Sequence, residues 1–157
     1  MADWIALAGS LVICMVAASI GGLFTARAIK EWYRGLKKPS WNPPDWAFGP
    51  IWTILYILMG ISAWLVWEEG GVEAQLIPLS IFALQLILNV VWSAVFFYKR
   101  RIFGGLIEVL LLWAAILATI IAFWGPSVVA AVLLLPYIAW VSIASYLNYT
   151  IWRLNPA

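Results

Sequence analysis

The chain has 157 residues, 66% of them hydrophobic and only 10% charged, with nine Lys and Arg against seven Asp and Glu. Soluble domains average about half apolar and about a quarter charged residues, so this composition excludes an ordinary soluble protein. With no histidine and a single cysteine, the chain also lacks the means for a Ser-His-Asp or Cys-His catalytic set, a His-ligated haem, an internal disulfide, or the usual zinc sites of Cys and His.

Charges and one turn signal divide the chain into five stretches, each long enough for a hydrocarbon core that needs about 20 apolar residues. They are 4–26, 46–67, 74–98, 102–124 and 128–152. The predicted fold class is an all-α integral membrane protein: a five-transmembrane-helix bundle, one domain over 1–157, with a structured Trp/Pro-rich loop between helices 1 and 2. The first stretch outruns the apolar core of a signal peptide and has no basic segment before it, so it reads as a retained span. Within it, Ala17-x-x-x-Gly21 and Ala18-x-x-x-Gly22 predict close helix packing, and Cys14 reads as a buried, inert thiol.

The first loop is written WYRGLKKPSWNPPDW from Trp32 to Trp46. Pro39, Pro43 and Pro44 fix φ and keep their predecessors out of α geometry, which makes the segment stiff and extended. Trp32, Trp41 and Trp46 can then fold down as an apolar lid on the end of the bundle. The alternative is an amphipathic segment resting on lipid headgroups, with Lys37 and Lys38 toward the phosphates.

In the second span Trp52 and Tyr56 are four apart and share a face. The connection after it holds Glu68, Glu69 and Glu73 and reads as a solvated acidic turn. Gln85, Asn89, Trp92 and Phe96 form one stripe on the third span. Glu108, the sole acid inside a span, lies seven residues after Arg101, about 10 Å along the helix. Either an ion pair or snorkelling accounts for it, or it has a proton or ligand role. Gly125-Pro126-Ser127 marks the turn before the fifth span, where Pro136, Trp140, Ala144, Asn148 and Trp152 follow in steps of four. Asn and Gln are costly in hydrocarbon without a partner, so these stripes should face the bundle interior. They serve either interhelical hydrogen bonding and packing or a shared aromatic pocket for a large, flat, mostly apolar ligand with a few polar atoms.

Arg27, Lys30, Arg34, Lys37 and Lys38 lie in or beside the first loop, Lys99, Arg100 and Arg101 in the third connection, and Arg153 near the C-terminus. Five spans put all nine on one side, and the positive-inside rule makes that side cytoplasmic, with the N-terminus outside and the C-terminus inside. The net charge of +2 is then a topology signal and implies no nucleic-acid partner.

The segment Trp32-Tyr33-x-x-Leu36-x-Lys38-Pro39-x-Trp41-x-Pro43-Pro44 resembles the signature of the translocator protein family, also called tryptophan-rich sensory protein, TspO/MBR or peripheral benzodiazepine receptor family. The similarity continues through PIWTILYILMG (Pro50 to Gly60), QLILNVVWSAVFF (Gln85 to Phe97) and LLPYIAWVSIASYLNYTIWRLN (Leu134 to Asn155). The resemblance implies a five-helix bundle, commonly a homodimer, in a bacterial membrane or the mitochondrial outer membrane of eukaryotes. It also implies a pocket closed by the first loop for porphyrins and haem, sterols such as cholesterol, and synthetic isoquinoline carboxamides and benzodiazepines. Pocket positions carried over by motif are Trp32, Trp41, Trp52, Tyr56, Asn89, Trp140 and Ala144; Trp92 joins them from the third-span stripe. Leu147, Tyr149 and Arg153 are similar to the family's sterol-recognition segment, a permissive pattern. No cofactor is obligatory on this reading, and porphyrin or haem is a ligand.

Three functions follow as expectations. The first is a membrane receptor or carrier for tetrapyrroles and other flat lipophiles, with a regulatory or transport role. The second is an enzyme-like, light-dependent activity in which excited porphyrin oxidises, or is degraded beside, pocket tryptophans, with Trp52 and Trp140 as the candidates. The third is a sensor that passes ligand occupancy to a protein partner.

Overall fold

In the computed structural model, which describes residues 2–156, the chain is all helical and no strand occurs among the described residues. Helix α1 spans Trp4–Glu31, α2 Asp45–Trp67, α3 is a single turn at Gly71–Ala74, and α4 spans Leu76–Ser93 and continues as a π-helical turn, Ala94–Tyr98. Helix α5 spans Ile102–Trp124, α6 Val128–Leu133 and α7 Leu135–Leu154. With α6 and α7 counted together, five segments are long and apolar enough to cross a membrane. The protein is an integral, multi-pass membrane protein.

Three boundaries differ from the expected ones. α1 runs past Ala26 to Glu31, because charge ends an apolar stretch without ending a helix, and Arg27 and Glu31 form an i,i+4 pair at 3.3 Å. The third span starts at Leu76, two residues late, because Gly70 and Gly71 take φ values of +111° and +74° and turn the chain there. The fifth span is interrupted at Leu134, whose amide bonds to Ala131. Pro136 has no N–H to continue the regular ladder at that point.

Polar side chains tie the spans together. At one end Asp3 caps α1 by accepting from Ala6 at 3.0 Å, its own amide donates to Glu68, and the Trp64 indole donates to its carbonyl. Halfway along, the Tyr56 hydroxyl donates to Asn89 Oδ1 at 2.7 Å, Asn89 Nδ2 donates to the Tyr137 hydroxyl at 2.6 Å, and that hydroxyl donates to Gln85 Oε1 at 2.7 Å. This chain joins α2, α4 and α7. Deeper toward the other end the Trp92 indole donates to Asn148 Oδ1 at 3.1 Å, and Asn148 Nδ2 donates to the Ile102 carbonyl. At that far end Arg100 meets Glu31, and Asn155 bonds the backbone of Lys37. The first loop, the third connection and the C-terminus therefore share one end of the bundle, and all nine cations gather there.

Not all of the predicted fifth-span stripe faces inward. Ala144 and Asn148 are buried and Trp140 and Trp152 are half-buried, but Pro136 is exposed. A line of steps of four advances about 40° per step on a helix of 3.6 residues per turn, so its ends point roughly 160° apart.

Replacing Asn89 with Leu should lower the melting temperature in detergent, since it leaves the Tyr56 hydroxyl without its acceptor and the Tyr137 hydroxyl with Gln85 alone. An unpaired buried group costs about 1–3 kcal/mol. A melting curve unchanged from the wild type would mean that the chain of hydrogen bonds does not hold the three helices.

Candidate ligand-binding cavity and its lid

Helices α1 and α2 touch closely at one level and part at another. A Cβ on Gly60 would stand 2.7 Å from Leu11 Cδ2 and 3.2 Å from its Cα, and Ser10 donates to the Gly60 carbonyl at 2.8 Å. Toward the loop end, Gly22 of α1 and Gly49 of α2 have no such neighbour within 4 Å. Between them lies a cavity of about 410 Å³, within the roughly 300–1,000 Å³ of small-molecule sites.

Its walls are Ala18, Gly21, Gly22, Thr25, Ala26 and Ile29 from α1, Asp45, Trp46, Phe48, Gly49, Trp52, Thr53 and Tyr56 from α2, and Asn89, Trp92, Ser93 and Phe97 from α4 and its π turn. Gly22, Ala26, Trp46, Gly49 and Thr53 are exposed, so the cavity opens sideways between α1 and α2. Four of the expected site residues, Trp52, Tyr56, Asn89 and Trp92, line it. Asn89 gives Oδ1 to Tyr56 and one Nδ2 hydrogen to Tyr137, which leaves an N–H and a lone pair of its amide.

Trp140 and Ala144 lie elsewhere. They line a second, nearly closed space of about 20 Å³ with Tyr33, Pro43, Phe96, Leu147 and Asn148, and Phe48, Trp52, Trp92 and Phe97 are shared with the larger cavity. Trp52 stands in the partition, its ring centroid 6.1 Å from Trp92, 6.5 Å from Trp140 and 5.8 Å from Tyr56. The indole nitrogen of Trp140 is buried with no hydrogen-bond partner. A buried donor normally has one, so this N–H is a vacant contact on the far side of the Trp52 partition.

The first loop, expected as a tryptophan lid, gives no residue of 32–44 to the larger cavity and reaches only the small space, through Tyr33 and Pro43. Trp46 is 76% exposed and Trp41 44% exposed; Trp41 stacks on Tyr146 at 5.4 Å over the outer face of α7. Trp32 is half-buried, edge-on to Phe96 at 5.5 Å, and lines neither space. Tyr33 is the anchor: it is buried, packs against Phe48, Phe96 and Phe97, and donates to Asn42 Oδ1 at 2.9 Å. Lys38 Nζ donates to the carbonyls of Tyr33 and Leu36 and lies 4.9 Å from the Tyr33 ring centroid, so it folds back on the loop rather than reaching toward lipid. The π turn, one extra residue in the α4 ladder, brings Phe96 and Phe97 together under Tyr33.

Sequence reasoning missed two features. Asn155 clamps the lid to α7: Lys37 N donates to its Oδ1 at 3.0 Å, and its Nδ2 donates to Lys37 O and Ile151 O, each at 2.8 Å. The contact spans 118 residues in sequence, and no local pattern announces it. The small residues of α1, read as packing devices, also make the cavity: Ala18 and Gly22 line it, while a Cβ on Gly21 would sit 3.4 Å from Ser93 Oγ. Leu147, Tyr149 and Arg153 do not share a surface, since Leu147 is buried and Tyr149 and Arg153 are exposed. Glu108 makes no ion pair with Arg101 among the described residues, and its Oε2 is buried and unpartnered.

A family profile, the TspO/MBR family, matches residues 10–153. The chain belongs to the TspO/MBR family. It is 44% identical to the tryptophan-rich protein TspO of Chlorobaculum tepidum over 96% of both chains. It is 39% identical to the human translocator protein over 97% of this chain and 91% of that one. The tryptophan-rich sensory protein of Cereibacter sphaeroides is 38% identical over 98% of this chain and 93% of its own.

Two predictions concern the lid. Asn155→Ala removes two hydrogen bonds to the loop worth about 0.5–1.5 kcal/mol each, so amide exchange across residues 36–42 should rise by about tenfold, with little change in melting temperature; exchange equal to the wild type would mean the clamp does not hold the loop. Burial holds the Tyr33 phenol above its ordinary range, the Asp45 carboxylate adds to this and the Asn42 hydrogen bond opposes it. Its contribution to stability is therefore complete below pH of about 10 and is lost as pH rises through the folded value. The melting temperature of the wild type should fall over that alkaline window, and the fall should be smaller in Tyr33→Phe; equal falls in the two proteins would mean that the phenol does not couple the loop to pH.

Proposed function

We propose that the protein is a membrane receptor or carrier for tetrapyrroles such as protoporphyrin IX, held between α1, α2 and α4. The carrying observation is the cavity beside Trp52. One wall is formed by Phe48, Trp52, Trp92 and Phe97, of which the half-buried Trp52 is the ring open to stacking, and Tyr56, Asn89, Ser93 and Thr25 supply a few polar contacts. The opposite wall is nearly bare of side chains, which suits a broad, flat molecule entering edge-first from the lipid. Asp45 lines the cavity and pairs with Arg34 at 2.9 Å, so a propionate would have to take the place of the Asp45 carboxylate on that guanidinium. The vacant Trp140 N–H gives the ligand a further donor if Trp52 swings aside. With no histidine, a metal-free ring fits this set of contacts better than ligated iron. Sterols and other flat lipophiles are the alternative occupants of the same cavity. On the positive-inside rule the first loop would face the cytoplasm.

A light-dependent reaction is the second reading, favoured by the ring cluster around Trp52. Indole is the most readily oxidised side chain here, and Trp52 lies within contact of two further indoles. Under light, product formation from bound porphyrin that persists unchanged in Trp52→Phe and Trp140→Phe would remove those residues from such a reaction.

Titration of the detergent-solubilised protein with protoporphyrin IX in the dark, followed by tryptophan quenching, tests the first reading. Saturable binding should be lost in Trp52→Leu/Trp140→Leu. It should also be lost in Gly22→Leu/Gly49→Leu, which fills the cavity where each Cβ meets open space and should leave the melting temperature close to the wild type. Non-saturating quenching that is equal in all three proteins would mean that porphyrin only partitions into detergent.

A further inference from the structure

A further recess lies along α1, at the same end of the bundle. It is a shallow groove of about 950 Å³ between α1 and the connection from the π turn to α5. Leu23, Phe24, Phe97 and Tyr98 make its apolar floor, and Arg27, Lys99 and Arg100 stand around it with one carboxylate, Glu31. Arg27 Nε is 3.3 Å from Glu31 Oε1 and Arg100 Nη2 is 3.0 Å from Oε2, so a single acid is shared by two guanidinium groups. Lys99 ends 5.9 Å from the Tyr98 ring centroid. Three cations against one anion leave the rim positive.

Two further observations bear on what the groove holds. Arg100 has φ +55°, a conformation uncommon for any residue but glycine. The turn is maintained by Lys99 N donating to Ala94 O and Arg101 N donating to Val95 O. A strained position that glycine would fill more easily thus carries a guanidinium over the groove. On α1, Val16, Ile20, Leu23 and Arg27 follow at i, i+4, i+7 and i+11 along one face, and the three apolar members are 53%, 42% and 75% exposed. An apolar track toward the membrane interior therefore ends in a positive charge at the membrane boundary.

We propose that this groove binds an anionic phospholipid, with its phosphate held by Arg27, Lys99 and Arg100 in place of Glu31 and an acyl chain along Val16, Ile20 and Leu23. Basic recesses between helices at the membrane boundary suit anionic headgroups, and the lipid supplies both the charge and the chain that the two parts of the site match. The groove shares Ala26 and Phe97 with the α1–α2 cavity, but none of its cations lines that cavity, so loss of lipid retention in the cation variants is distinguishable from loss of tetrapyrrole binding.

Native mass spectrometry of the full chain, offered equal amounts of dioleoyl phosphatidylglycerol and dioleoyl phosphatidylcholine, tests this. Phosphatidylglycerol should be retained preferentially, and the preference should fall by roughly fivefold for each groove cation lost in Arg27→Gln/Lys99→Gln/Arg100→Gln. The charge-matched Lys30→Gln/Lys37→Gln/Arg153→Gln protein should keep it. Arg100→Gly removes the guanidinium while relieving the backbone, so it should weaken retention without lowering the melting temperature, and it replaces the triple variant if that one does not fold. Equal retention of both lipids, a preference that survives in the groove variants, or an equal loss in the charge-matched control would overturn the site. Displacement of phosphatidylglycerol by inorganic phosphate at comparable concentration would show an anion site only, and would overturn the assignment to lipid.

Discussion

Inside a bilayer a buried amide has no water to fall back on, and Asn89 therefore fixes much else in this structure. Its two polar atoms are taken by hydroxyls from two other helices, and Gln85, one turn away, takes the hydrogen of the second. A neutral hydrogen bond between membrane helices contributes modestly, about 0.6–2 kcal/mol. Its directionality matters more than its strength. Apolar surfaces in lipid slide and rotate at little cost, whereas a bonded Tyr-Asn-Tyr-Gln chain admits one rotation of α2, α4 and α7. That rotation brings Trp52 and Trp92 against each other.

Once α2 and α4 are set, α1 decides how much room is left. It approaches α2 to contact at Gly60 and then faces it across Gly22 and Gly49, where nothing fills the gap. The cavity is thus a product of missing side chains on one wall and large aromatic ones on the other. This asymmetry leaves Trp52 half-buried beside the open space, whereas Phe48, Trp92 and Phe97 are buried against neighbouring rings. On the far side of Trp52 the same rings are packed almost to closure, with only the Trp140 N–H left unsatisfied.

The loop end concentrates charge but employs it locally. Lys38 braces the loop's own carbonyls, Arg34 pairs with Asp45, and Glu31 gathers Arg27 and Arg100. The lid is held by a buried phenol and a distant asparagine rather than by its tryptophans. Tyr33 can serve because the π turn presents Phe96 and Phe97 to it; a regular α-helical end would have rotated those rings by about 100° per residue of offset.

The span number, the bundle class and the gathering of cations at one end were determined by the sequence alone. Spanning needs only length and apolarity, and charge placement needs only counting. The third-span stripe was legible for a similar reason: Gln85, Asn89 and Trp92 are close enough in sequence for helical periodicity to align them, and burial follows from the cost of amides in hydrocarbon. What the tertiary structure decided depends on distances between segments remote in sequence. Periodicity could not show that small residues of α1 would face a gap as well as a packed helix, that Trp46 would turn outward, that Asn155 would clamp Lys37, or that Trp140 would lie across a partition from Tyr56. A stripe in steps of four also drifts around its helix, so Pro136 left the interior that Ala144 and Asn148 occupy. Each of these was set by where another helix lies, and sequence patterning fixes which face of a helix is buried far better than which neighbour buries it.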